Sequence, residues 1–402
     1  MRISTTFGMN QIVSHGFGVF LFAALVPLMR EEIGISHWHL AVTGALTQLS
    51  YLAGALLLSL AGHRISSARL ALVTGSITSL LLLTMAGLDD PLAVMLVLIL
   101  AAACAAISWG AIVELISRYT APELKSTYLS TVSSGTAWGY GLNGLLVLLI
   151  VPLFGWRSGW LIAGVLGCTT VLLTWRLLIR LQNRSGNNQH STQSAALTAA
   201  QLFRAVTRER TAFFASLICC LVGFATMPFS TWLSTYLAEQ GAAVQLGGYT
   251  WTAAGMTGML AGFLTGKLAD SRGHGVALLL VFIGFAIGII AFVYDPVSFA
   301  VIAGCGYGLM YFPMWGIIAG WLNRHYSATA TMQINSIGMV VFGLGGASGN
   351  LLAGWLQELN GSLTSIYMII AVDALLLVLI ALYVQLTEAK PNKLVQQENA
   401  LC

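Results

Sequence analysis

The stretch GKLADSRGH, residues Gly266 to His274, sets a short charged segment between two long apolar runs. Gly266 lets two helices approach closely. Asp270 stands where a carboxylate can meet the N-terminus of a neighbouring helix, and Lys267 and Arg272 favour the cytoplasmic face of a membrane. The expected local structure is a charged hairpin of a few residues joining two membrane-crossing helices.

Composition places the rest of the chain in lipid as well. Hydrophobic residues make up 57% of the sequence and charged residues 8%, far below the charged quarter of an ordinary soluble domain. Cutting at charges and turn residues gives twelve apolar spans of about 20 residues. The first six are Thr6 to Met29, His37 to Leu60, Ala68 to Gly87, Pro91 to Leu115, Ser126 to Leu153 and Ser158 to Ile179. The second six are Thr211 to Leu237, Gly247 to Leu268, Val276 to Tyr294, Val297 to Leu322, Thr331 to Leu356 and Ser365 to Leu386. With the N-terminus inside, sixteen of the 18 Lys and Arg fall on the inner side and only Arg30 and Arg157 outside, which predicts that both termini are cytoplasmic. The net charge of +4 then reflects topology, and no nucleic-acid partner is expected. The first span lacks a small-residue cleavage site and reads as a retained helix. The cysteines show no metal-ligand spacing.

The two halves echo each other at an offset of about 207 residues. Gly16-Phe17 followed by Glu32-x-Gly34 recurs as Gly223-Phe224 followed by Glu239-x-Gly241. Trp109-Gly110 with Arg118 recurs as Trp315-Gly316 with Arg324, and Leu60, Ala61 and Arg64 recur as Leu268, Ala269 and Arg272. Where the second half has Gly266 and Asp270, the first has Leu58 and Gly62, so a latch built on that acid must be asymmetric. A polar segment rich in Gln, Asn, Ser and Thr divides six spans from six. The expected organisation is an N-terminal bundle (1–181), a cytoplasmic linker (182–205), a C-terminal bundle (206–386) and a cytoplasmic tail (387–402).

The segment Gly266 to His274 resembles the signature loop of the major facilitator superfamily, Gly-x-Leu-Ala-Asp-Arg-x-Gly-Arg, at Gly266, Leu268, Ala269, Asp270 and Gly273. Ser271 and His274 replace basic residues. With GWRSGW at Gly155 to Trp160 and the six-plus-six repeat, the resemblance covers essentially the whole chain. It implies an all-α membrane protein of twelve transmembrane helices in two pseudo-symmetric six-helix bundles. It also implies alternating access, in which a site near mid-membrane meets one side at a time. HGFGVF followed by LVPLMREEIGIS is similar to the bacterial YbfB/YjiJ-like branch, with Val19 where that branch often carries Arg, which implies the bacterial inner membrane. Drug and proton antiporters of the superfamily usually show an Arg in span 4 and a Gly-Pro motif in span 5. Here those spans read LAAACAAISWG and SSGTAWGYGLNG.

Candidate functional residues follow from side-chain chemistry in lipid. Tyr307, Tyr311 and Trp315 at i, i+4 and i+8 put three large aromatics on one face of span 10. Trp232 in span 7 and Trp109, the repeat mate of Trp315, extend the set of substrate-binding candidates. Pro27, Pro228 and Pro313 place kinks in spans 1, 7 and 10. Within the membrane the ionisable groups are His15, flanked by Gln11, together with Glu114 and Asp373. His15 and Gln11 are candidates for binding the substrate, and His15 or Glu114 for carrying a proton. Glu114 and Arg118 form an i,i+4 pair that, with Gly266, Asp270, Arg272 and Arg324, makes up the gating candidates. No Lys or Arg lies deep in a span, so a polyanion would find no cationic partner. No ATPase, nucleophile or metal motif appears, so no cofactor, metal or enzymatic activity is expected. The expected function is transport of a small organic solute by a monomer in the bilayer, with proton-driven drug efflux or a transport-dead sensor or scaffold as alternatives.

Overall fold

A computed structural model describes residues 3–185, 196–243 and 245–388. Most of the expected tail, and linker residues 186–195, lie outside the described residues. The remainder is helical, and eleven described helices are long and apolar enough to cross a membrane.

In chain order span 1 is Ile3–Gln11, a π-helical stretch Ile12–Phe17 and Leu21–Ile33; span 2 is His37–Ala61, span 3 Ser67–Met85 and span 4 Pro91–Tyr119. Span 5 runs through Lys125–Ser133, Gly135–Leu145, a π-helical Leu146–Ile150 and Val151–Phe154, and span 6 is Trp156–Ser185. A linker helix, Ala199–Arg208, leads into span 7, Arg210–Glu239. Spans 8 to 12 are Gln245–Arg272, His274–Tyr294, Pro296–His325, Ala328–Asn360 and Thr364–Glu388. Span 8 is the one that falls short on apolarity. Its buried positions are Gly, Ala and Thr, from Gly247 through Gly255, Gly258 and Gly262 to Gly266, a composition that lowers hydropathy while letting neighbouring backbones come close.

Packing follows the sequence repeat. In the first bundle span 2 packs on 4, and span 3 on 4 and 6; in the second, span 8 packs on 10, and span 9 on 10 and 12. The bundles meet where span 5 packs on 8 and 10 and, symmetrically, span 11 on 2 and 4. Adding six to each span number maps one set of contacts onto the other. Capping repeats too: Gly34 and Gly241 both take φ 71°, where a side chain would be strained. Glu32 beside the first accepts from Arg157 and from Trp156 Nε1 at 2.5 Å, at the start of span 6. Glu239 beside the second accepts from Leu363 N at 3.0 Å, next to the start of span 12.

The charged hairpin is shorter than expected. Span 8 stays helical through Arg272, and Gly273 alone, at φ 100°, turns the chain into span 9. The linker is also more ordered: Ala199–Arg208 is a helix capped by Thr198 and Gln201, with Leu202 and Ala205 buried and Arg204 and Arg208 exposed.

Candidate functional site

A cavity of about 170 Å³ lies between the bundles. Gln11, His15, Val19 and Phe20 come to it from span 1, Gln48 and Tyr51 from span 2, Trp109 from span 4, and Ser133, Thr136 and Tyr140 from span 5. The second bundle adds Met227 and Ser230 from span 7, Tyr307, Tyr311, Phe312 and Trp315 from span 10, and Phe342 from span 11. The first bundle thus contributes mostly hydrogen-bonding side chains and the second mostly aromatic ones. None of these lining residues is Asp, Glu, Lys or Arg, and Val19 stands in the wall where the resemblance led one to look for an Arg.

Local irregularity positions the polar side. The π-helical turn of span 1 brings Gly16 so close to Gly139 of span 5 that a methyl on either would strike the other's backbone. Asn143 Nδ2 donates to Gly16 O at 2.8 Å and satisfies a carbonyl that the wide turn leaves open. His15, half-buried in the same turn, lies with Nε2 3.2 Å from Tyr51 Oη and Nδ1 3.1 Å from Ser14 Oγ. On the aromatic side Tyr307 and Tyr311 stack with centroids 4.9 Å apart, and Trp315 meets Phe342 edge-on.

On the side carrying the linker helix the cavity is closed by two unlike seams. In the first, Asp270 accepts from Ser126 N at 3.0 Å, Thr127 N at 2.7 Å and Thr127 Oγ1 at 2.7 Å, where span 5 begins. Gly266 permits this approach, since a Cβ there would lie 2.7 Å from Ser126 O and Thr127 Cα. In the second seam, where the repeat mate of Asp270 is Gly62, a glutamine replaces the acid. Gln333 Nε2 donates to Ser59 O at 3.0 Å, and Ser59 Oγ donates to Gln333 O at 3.1 Å. The same Gln333 side chain also holds Leu197, accepting from its N at 2.8 Å and donating to its O at 3.0 Å, which ties the linker to the seam. Glu114, 4% exposed, accepts from Thr329 Oγ1 across the bundles at 3.0 Å, from Ser67 Oγ within its own, and from Arg118 at 2.6 Å. Asn323 links the seams, accepting from Lys125 Nζ at 3.0 Å and donating to Ser117 Oγ. On the opposite side Leu21–Ile33 packs on spans of its own bundle, and span 7 likewise on its own. The cavity therefore opens away from the linker.

Of the residues picked out in the sequence, the structure gathers Gln11, His15, Trp109, Tyr307, Tyr311 and Trp315 around the cavity. It leaves Trp232 outside the lining, packed half-buried against the core of the second bundle beside Gly354. Trp232 lies two residues beyond Ser230 in the same regular helix, about 200° around the axis, so its side chain faces away from the cavity that Met227 and Ser230 line. Glu114, Arg118, Gly266 and Asp270 gather at the linker-side seams. Arg272 and Arg324 stay exposed and form no ion pair with Asp270 among the described residues, because the span 5 amides already occupy that carboxylate. Asp373 is buried in span 12 away from the cavity, with Oδ2 unpartnered among the described residues. Gln48 and Tyr51 went unnoticed, although their i,i+3 spacing on span 2 marks one face.

The sequence matches the family model of the Major Facilitator Superfamily over residues 11–341. No curated protein matches it. Among solved structures it is similar to FucP, described as a Major Facilitator Superfamily transporter in the outward conformation, at TM-score 0.71 and 11% identity, covering 95% of this chain and 98% of that one. The E. coli fucose:proton symporter FucP in a second structure gives 0.70 and 13%, covering 95% and 97%. The human organic anion transporter MFSD10 (TETRAN) gives 0.71 and 14%, covering 94% and 99%. At these identities the likeness speaks for the fold.

Proposed function

Since the chain belongs to the Major Facilitator Superfamily, we propose that it is a secondary transporter of a small neutral organic solute, working by rocking of the two bundles about the central cavity. One observation carries this: the cavity is walled by spans from both bundles and closed on one side only, by seams that break when the bundles rotate. The sixteen-to-two split of basic residues supports a cytoplasmic linker side and an inner-membrane location with both termini inside. On that orientation the cavity opens outward. The similarity of HGFGVF and LVPLMREEIGIS to the YbfB/YjiJ-like branch supports a bacterial source.

Gln11, His15, Trp109, Tyr307, Tyr311 and Trp315 contact the solute in this proposal, while Asp270, Gly266 and Glu114 control the seams. Proton coupling is supported by His15, a cavity-lining imidazole that can accept and release a proton. A structural neighbour is also a fucose:proton symporter. The test is reconstitution: vesicles containing the purified protein should exchange a labelled solute across the bilayer and, if coupled, acidify on uptake. Binding of a solute with no exchange in either direction would instead favour a sensor.

A further inference from the structure

An imidazole is sealed inside the first seam. His274, the first residue of span 9, is 0% exposed although it lies at the linker-side end of its bundle. Its Nε2 stands 2.7 Å from Ser126 Oγ, on the same span 5 residue whose N–H binds Asp270, and its Nδ1 has no partner among the described residues. The contact crosses from one bundle to the other, so it breaks whenever the seam opens. Span 3 begins instead with Ser67, which donates to Glu114 inside its own bundle. The signature loop that this segment resembles carries Arg at the position of His274, so a charge that is permanent there is conditional here.

The closed seam disfavours an imidazolium. It would give up its water, leave Nδ1–H without an acceptor, and stand near Arg324 and His325 from the last turn of span 10 and Lys125 beside Ser126 on span 5. Span 12 brings Gln385, which is uncharged, against the neighbouring Gly275, and Lys267 and Arg272 of span 8 are exposed. Of the acids, Glu123 is exposed, and Asp270 has both carboxylate oxygens occupied by Ser126 and Thr127. Opening reverses this balance. Departure of span 5 removes Ser126 and Lys125, admits water to the ring and frees the carboxylate of Asp270, four residues before His274, to pair with an imidazolium. On the transport reading above, we infer that His274 is a proton-binding site that sets how readily the linker side opens. The closed seam holds the neutral ring and the open seam takes a proton from the linker-side solution, so acid on that side favours opening. The ring is reached from that side alone. Its proton therefore returns to the same solution on closing, and the site regulates the cycle without carrying a proton across.

The test uses the purified full chain in lipid nanodiscs, with spin labels on spans 5 and 8 at the linker side, between pH 8 and pH 5.5. An imidazole open to water titrates near 6.5, so the ratio of open to closed seam should rise by about tenfold across that window. His274→Gln, which can still meet Ser126 but does not titrate, should give a ratio that does not move with pH; His274→Asn serves if the Gln variant does not fold. Should neither fold, carbethoxylation by diethyl pyrocarbonate decides: at pH 8 His274 should resist it in the parent and react in Asp270→Asn, whose seam is loosened. A parent ratio indifferent to pH overturns the inference, as does a pH response that survives in the His274 variants, which would assign it to Glu114, His325 or another group, or carbethoxylation of His274 in the closed parent. If open and closed populations exist but ignore pH, the regulatory site falls and transport by rocking stands. If a single distance persists at every pH and in Asp270→Asn, the rocking proposal itself falls.

Discussion

Replacing Asp270 with Asn removes a charge from the seam at little cost in volume. The Asp270 carboxylate receives three donors, Ser126 N, Thr127 N and Thr127 Oγ1, with both oxygens in use at 2.7 to 3.0 Å. Asn keeps one acceptor and turns an amide NH₂ toward the other donors. Losing a charge at a helix N-terminus costs up to about 2 kcal/mol in a partly buried setting, and hydrogen bonds to a charged acceptor exceed neutral ones by about 1 kcal/mol. These overlap, so a loss of about 2 kcal/mol is a fair total, and it falls on the state in which the seam is closed. At about 1.4 kcal/mol per tenfold that is a shift of roughly 30-fold, enough to level a closed state favoured 30 to 1. Spin labels on spans 5 and 8 at the linker side should report a second, longer distance in Asp270→Asn, and transport should slow or become biased. Intrinsic affinity for solute should stay near normal, because Asp270 does not line the cavity. An unchanged distance distribution together with abolished binding would refute the assignment of Asp270 to the gate.

Gln333→Leu removes the amide bridge to Ser59 and leaves Leu197 N and O without partners, at about 1–3 kcal/mol per buried group. Hydrogen exchange at residues 196–200 should then accelerate; unaltered protection there would mean that the linker is held by other contacts. Arg157 and Trp156 hydrogen bonds hold the Glu32 carboxyl below the usual carboxylate range. A depressed folded value adds stability above the unfolded value of about 4.3 that is lost as pH falls through the folded one. Thermal midpoints of the parent should therefore drop on acidification below about pH 4 more steeply than those of Glu32→Gln, and parallel acid limbs would count against the pairing. Tyr311→Ala should weaken solute binding by about 1–3 kcal/mol if the ring carries the contact. Tyr311→Phe separates stacking from hydrogen bonding, and full affinity in both variants would remove Tyr311 from the site.

The twelve-span fold was legible because lipid demands long apolar helices and because the repeat left matching residues at matching places. One pair of mates was overlooked: Asp90-Pro91 and Asp295-Pro296 open spans 4 and 10 alike, each Asp capping the two amides beyond its Pro. The aromatic face of span 10 could be read from i,i+4 spacing, since a regular helix fixes which residues align. The polar face of the cavity could not be read fully in that way. Spans 1 and 5 depart from the α-helical period at Ile12–Phe17 and Leu146–Ile150, and a π-helical turn shifts every later residue around the axis. Pro152 just after the second stretch was a usable signal, because it cannot donate to the ladder. For the seams, the sequence showed the missing acid at Gly62 but not its replacement. Gln333 is 274 residues from Ser59, and only the pairing of span 11 with span 2 brings them together.

Alternating exposure of the cavity is tested most directly by a single cysteine at Tyr311, with the native cysteines replaced, labelled with a membrane-impermeant thiol reagent from each side of oriented vesicles. The cysteine should be reached from the far side in the parent and, once Asp270→Asn has loosened the seam, increasingly from the linker side, with bound solute protecting it in both. A cysteine at Leu309, whose side chain packs against Gly284 inside the second bundle, should stay unreactive. Labelling of Tyr311 from one side only, unaffected by Asp270→Asn, or labelling on the Leu309 face instead, would contradict alternating access through this cavity.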